Sequence, residues 1–188
     1  MKLISLCIVS FLFLSCQEGL TNKEENQYTK KGKEIIQASA NHLGGQLVEV
    51  MNERGVVQAV PFCNIMATHL TNEMAEKYKA TIKRTSSKLR NKNNMPNDEE
   101  TKILLQYKNL IDTNKQPMPI VEIDKSGNPH FYAPILLQQK CLTCHGIIGE
   151  DITFKTDSII KSIYQNDVAT GFKEGDLRGI WSITFQVE

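Results

Sequence analysis

One run in the second half of the chain combines residue types that do chemistry together: Cys141-Leu142-Thr143-Cys144-His145. Two thiols separated by two residues can each add to one vinyl group of the same porphyrin. The adjacent histidine can then give its ring nitrogen to the iron. Gly146 follows directly and lets the chain turn tightly beside such a ring. The pattern predicts one covalently attached c-type haem per chain, held by Cys141, Cys144 and His145. Other uses of paired cysteines fit less well. A zinc site needs two more Cys or His ligands, often a second close pair, and neither another Cys-x-x-Cys nor a His-x-x-x-His occurs. A redox dithiol needs no following histidine, and a disulfide across two residues is strained.

A single motif leaves the sixth position of the iron to be filled from elsewhere. Cys63, Met66, His69, His42 and His130 are the candidates. If residues 56–76 are helical, Met66 lies near the face of Cys63, while His69 points roughly 120° away, so Cys63 and His69 cannot both face one ring. The plain alternatives are a small buried apolar role for Cys63 and surface or packing roles for the histidines.

The first residues bear on compartment. Met1-Lys2 is a short basic start, and Leu3 to Leu14 is apolar and uncharged. That run is shorter than the roughly 20 residues of a membrane span and suits the core of a signal peptide. It ends in Phe13-Leu14-Ser15-Cys16, then Gln17-Glu18, similar to a lipobox although Phe13 and Leu14 are unusual there. Residues 1–15 are expected to be a signal peptide, Cys16 the lipidated N-terminus, and residues 16–30 a tether. The alternative is an ordinary secretory peptide with Cys16 incidental. The protein is thus expected in the cell envelope, facing the periplasm from the inner or outer membrane. Of the five cysteines, Cys7 leaves with the leader, Cys16 carries lipid and two serve the haem. Cys63 is left single, and an odd cysteine in an exported protein asks for a role.

Composition sets outer bounds. The 188 residues are 40% hydrophobic and 23% charged, suited to one soluble domain behind a leader. Without Lys2 the chain has 21 basic and 21 acidic residues, so nucleic acid is not expected as a partner.

The elements that must position the site follow from periodicity. Apolar residues at helical spacing predict a helix over 31–54, with a kink or close packing at Gly44-Gly45. A second helix is predicted over 56–76, with Pro61 a weak point. Tyr78 to Thr85 reads as a strand, Lys88 to Pro96 as a loop, and Glu99 to Ile111 as a helix capped by Asn97 or Asp98. Ile120 to Asp124 and Phe131 to Leu137 form a hairpin around Lys125-Ser126-Gly127-Asn128. A short helix over 156–166, a loop over 171–175 and a closing strand over 179–187 complete an α+β domain.

At this point the chain resembles the Tll0287-like family of bacterial c-type haem proteins with a PAS-like domain. The residues that carry the likeness are Lys83-Arg84-Thr85-Ser86-Ser87-Lys88-Leu89-Arg90-Asn91 with Asn94 and Pro96; Tyr132, Pro134 and Cys141 to Gly146; and Gly171 with Gly175-Asp176-Leu177-Arg178-Gly179. Their order holds over about residues 30–188. Lys92 departs from the family, where proline often follows Arg-Asn. The resemblance implies a PAS-like antiparallel sheet of five strands with N-terminal helices over 31–188, cradling haem c. It also implies a cysteine as second axial ligand, and Cys63 in Ala59-Val60-Pro61-Phe62-Cys63 matches its place. Arg84 and Arg90 are the candidates for the haem propionates, since guanidinium groups pair well with carboxylates. Arg178 is expected to anchor its own loop through Asp176.

A His/Cys haem with both axial positions filled favours sensing or electron transfer over catalysis, so no enzyme is expected. The leading expectation is a redox or small-gas sensor, in which a diatomic ligand enters after reduction weakens the iron–sulfur bond. The alternative is a membrane-tethered electron carrier serving a redox partner protein of the envelope. No transmitter segment follows Val187-Glu188, so a signal is expected to pass to a partner.

Overall fold

The computed structural model describes residues 19–186; the expected signal peptide, Cys16 and the last two residues lie outside them. Helix α1 (Asn22–Arg54) is opened by a reciprocal capping box. The Thr21 hydroxyl accepts from the Glu24 N–H, and the Glu24 carboxylate accepts from the Thr21 N–H. The helix therefore begins at Asn22 rather than Lys31, and residues expected in a tether form its first turns. Tyr28 among them sets its ring 5.0 Å from that of Phe185. Gly44-Gly45 neither interrupts α1 nor admits another element, since a Cβ at either would meet nothing within 4 Å. The close approach is at Gly32, where the Phe131 ring occupies the space a Cβ would need.

Helix α2 (Val56–Tyr78) continues through Pro61 and ends at Lys79, whose φ of 47° turns the chain into strand β1 (Ala80–Thr85). A 3-10 turn at Lys92–Asn94 leads to helix α3 (Asp98–Asp112), capped by Asn97 and Glu100. Strands β2 (Ile120–Ile123) and β3 (Pro129–Leu136) form the expected hairpin. In its turn the Asp124 carboxylate accepts from the Ser126 and Asn128 N–H groups, with Gly127 at φ 86°. A single turn α4 (Leu142–His145), helix α5 (Phe154–Ile163) and strand β4 (Leu177–Phe185) follow.

The four strands form one antiparallel sheet in the order β1-β4-β3-β2. Among the described residues this is one strand fewer than the five implied by resemblance. Between β1 and α3 the chain is polar and rich in asparagine. It spends its hydrogen bonds on the turn at Asn91, whose side chain accepts from the Asn93 N–H, so no alternating apolar stretch is left for a further strand.

Strand alternation divides the core. Ile82, Phe131, Ala133, Trp181, Ile183 and Phe185 face Ile35 of α1 and Met74 of α2. Tyr132 and Ile180 face Ile103, Leu104 and Tyr107 of α3, and the Tyr107 hydroxyl donates toward the Met118 and Tyr132 carbonyls. The long excursion from β3 to β4 is closed at its base, where Leu137 N–H bonds Asp176 O at 3.0 Å and Gly175 N–H bonds Leu137 O at 2.8 Å. Within it, Leu142 packs with Leu137, Ala169 and Phe172. Val60 packs with Ile152 and Ile160, which seats α5 on α2. The Cys-x-x-Cys-His turn is thereby held on a folded excursion near α2.

Candidate functional site

His145 ends the α4 turn, which Leu142 anchors in the core with 6% of its surface exposed. Its Nδ1 lies 2.8 Å from the Ala169 carbonyl. A carbonyl oxygen only accepts, so Nδ1 carries the proton and the lone pair of Nε2 is open. The Phe172 ring meets the imidazole edge-on, with centroids 6.4 Å apart. Phe172 N–H bonds His145 O at 3.1 Å, and Gly171 N–H bonds Gly146 O at 2.8 Å, so both sides of the loop are stitched. Burial, helped by the charges of Arg90 and Arg178, pushes the His145 pKa down to about 3, against the Ala169 bond. The imidazole is neutral, which is the ligating form.

Gly146 has φ −76°, open to any residue. What demands glycine there is the Asp151 side chain, which fills the space of a Cβ while its carboxylate accepts from Ile147 N–H at 2.9 Å. The expected tight turn is thus a tight contact.

Cys63, Cys141 and Cys144 are free thiols, each half-buried. Burial and the neighbouring Cys144 push the Cys63 thiol up to about 11, opposed by Arg84 and Arg90. Helix α2 and the Cys141-to-His145 turn therefore come close at Cys63 and Cys144. Burial also raises the Cys144 thiol, with Arg90 acting the other way. Tyr164, packed with Val60, is raised to about 12 by burial and then by Cys63.

The histidine candidates are occupied elsewhere. His42 and His69 share the Glu73 carboxylate at 2.8 and 3.2 Å, and His130 pairs with Asp124 at 3.0 Å. Met66 remains part-buried on α2. Among the described residues no three His, Cys, Asp or Glu side chains are grouped to hold a bare metal ion.

The arginines divide by partner. Arg90 forks onto Asp167, with Nε and Nη2 each 3.2 Å from a carboxylate oxygen, and its Nη2 donates to Cys144 O at 2.6 Å. Arg90, expected to serve a haem propionate, has its fork on the chain's own Asp167 carboxylate. Arg84 has Trp181 5.6 Å away and the Thr71 hydroxyl at 3.5 Å, and burial lowers its pKa. Arg178 does not hold Asp176; it donates to Lys88 O at 3.0 Å and lies over Phe172. Asp176 instead accepts from Lys173 N–H. Burial, then Arg90, lowers the Arg178 pKa to about 10. Among the described residues neither Arg84 nor Arg178 pairs with a carboxylate. Ala169, Asp167, Phe172 and Arg178 were not anticipated as site residues. Ala169 acts through its backbone, which no side-chain pattern reports.

Fold and site together define a small α+β protein in which a two-helix arm and a four-stranded antiparallel sheet bring a neutral histidine, three thiols and uncompensated guanidinium charge into one region. The family model described as Tll0287-like matches residues 20–186. The chain belongs to the Tll0287-like family. Among solved structures it is similar to one titled as the crystal structure of the cyanobacterial haem protein Tll0287, with a TM-score of 0.62 and 23% identity, over 90% of this chain and 99% of that one. At that identity the likeness speaks for the fold. Comparison with curated proteins finds no match.

Proposed function

We propose that this is a haem-binding protein with one covalent c-type haem, attached through Cys141 and Cys144 and ligated by His145 Nε2 and Cys63 Sγ. It is exported, held at a membrane by lipid on Cys16, and works as a non-catalytic redox or small-gas sensor. The observation that carries the reading is the open Nε2 of a neutral, shielded imidazole directly after two free thiols. Family membership supports it, since the solved relative is titled a haem protein.

The residues fit the group. Two unpaired thiols at the attachment spacing stand beside a histidine whose other nitrogen is already fixed. Among the described residues Arg84 and Arg178 have no carboxylate partner, and their positive charge suits propionates. Haem c supplies a one-electron couple and, where an axial ligand leaves, a position for a diatomic gas. Cys63 must give up its proton to ligate, and its thiolate then favours ferric iron. Trp181 and Phe172 provide apolar walls near the charged groups.

The second reading is a membrane-tethered electron carrier. The stitching of His145 through Ala169, Gly171 and Phe172 favours it, because a rigid ligand set loses little energy to rearrangement on electron transfer. Optical and EPR spectra of the haem-loaded protein decide between them. The sensor gives a ferric low-spin thiolate signal and, after dithionite, a CO adduct. The carrier keeps its low-spin ligands on reduction and ignores CO, while a high-spin ferric resting state refutes the two-ligand assignment.

A further inference from the structure

We infer that Arg90 and Asp167 are positioning residues for His145: Asp167 fixes the Ala169 backbone that accepts from Nδ1, Arg90 shares the same carbonyl, and through that bond the pair sets the reduction potential of the iron. The inference rests on the proposed ligation of a covalent haem by His145.

Three segments far apart in the chain meet at this pair. The Arg90 guanidinium donates to both carboxylate oxygens of Asp167 at 3.2 Å, to Cys144 O at 2.6 Å and toward Ala169 O at 3.4 Å. Asp167 Oδ1 in turn accepts from the Ala169 N–H at 2.9 Å. Both side chains are largely withdrawn from water, 13% and 3% exposed, so the pair is weakly screened. It grips the residue just before His145 and the residue whose carbonyl His145 uses.

That carbonyl has two donors, His145 Nδ1–H at 2.8 Å and the Arg90 fork at 3.4 Å. A carbonyl that accepts strongly from an iron-bound imidazole makes it more electron-donating and stabilises ferric iron. Arg90 draws on the same lone pairs and brings positive charge, which limits this effect. Asp167 offsets that charge and fixes the fork. The two residues therefore act on the potential with opposite signs. A simple brace has no such property, because cutting either end of a brace loosens the same loop.

The test is an optical redox titration, with ferric EPR, of the haem-loaded wild type and of Arg90→Gln, Asp167→Asn and Arg90→Lys. Arg90→Gln lowers the midpoint potential, Asp167→Asn raises it, and Arg90→Lys returns it toward wild type, all with the wild-type low-spin ligand set. Shifts in one direction for both neutral variants, or no shift, overturn the inference. Should Arg90→Gln fail to load haem, Asp167→Asn decides alone: a rise supports the inference, and a fall or no change overturns it. A wild type without covalent haem removes the functional reading and this inference with it. A loaded wild type whose variants fail the sign test removes only the latter.

Discussion

Alanine in place of Gly32 inserts a methyl group where the Phe131 ring stands. Phe131 is fully buried at 0% exposure, so the ring has no open space to swing into and α1 or β3 must shift. Overpacking of this kind costs about 1–3 kcal/mol. Contact with three ring atoms places it at the top of that range. Against this, replacing glycine by alanine inside a helix returns about 1 kcal/mol. The net loss is about 2 kcal/mol, or a Tm lower by about 4–8 °C for a chain of this size. Gly44→Ala is the internal control, since it is the same change in the same helix with nothing within 4 Å of the new atom. It gains about 1 kcal/mol. Urea unfolding of both variants by circular dichroism, with the slope checked for constancy, isolates the steric cost as their difference of about 3 kcal/mol. Equal stability of the two variants would refute the packing of α1 on β3.

Cys63→Ala abolishes the ferric low-spin thiolate EPR signal of the loaded protein and raises its potential; an unchanged spectrum removes Cys63 as ligand. The haem-free protein loses stability on acidification because His145 titrates near 3 when folded and near 6.5 when unfolded. Its contribution is intact above pH 6.5 and falls by about 3 kcal/mol by pH 4; urea titrations of wild type and His145→Asn at both pH values check it, and parallel losses in the two refute it. Lys83→Met leaves the Glu100 carboxylate, 3% exposed, without its cation at 2.6 Å. A loss of about 2–3 kcal/mol in chemical denaturation follows, partly moderated by the remaining Asn97 N–H bond.

Much of the frame was legible before any coordinates. Helical periodicity located α2 and α3, the Asp124-to-Asn128 turn located the hairpin, and residue order alone implied α+β. The start of α1 was missed because its first turns are polar, and only the Thr21/Glu24 cap marks it. Gly44-Gly45 drew attention as a doublet, whereas the single Gly32 has the packing role, which depends on a ring remote in sequence. At the site, Cys141, Cys144 and His145 stood out because a haem attachment motif needs each as a side chain at fixed spacing. The partner Arg90 takes in the fold, Asp167, was not legible, because a guanidinium advertises carboxylate binding without naming which carboxylate. Asp167 competes for it only once the β3-to-β4 excursion folds back.

The thiol of Cys63 rides on α2, whereas Cys141 and Cys144 ride on the excursion before β4, with β1, α3, β2 and β3 between them in the chain. On the proposed ligation, a pigment can be bonded to Cys141 and Cys144 while the polypeptide is still extended, but the sulfur from α2 reaches it only after the sheet has closed. The proposal then implies that colour records maturation: chains stalled midway differ in hue from finished ones.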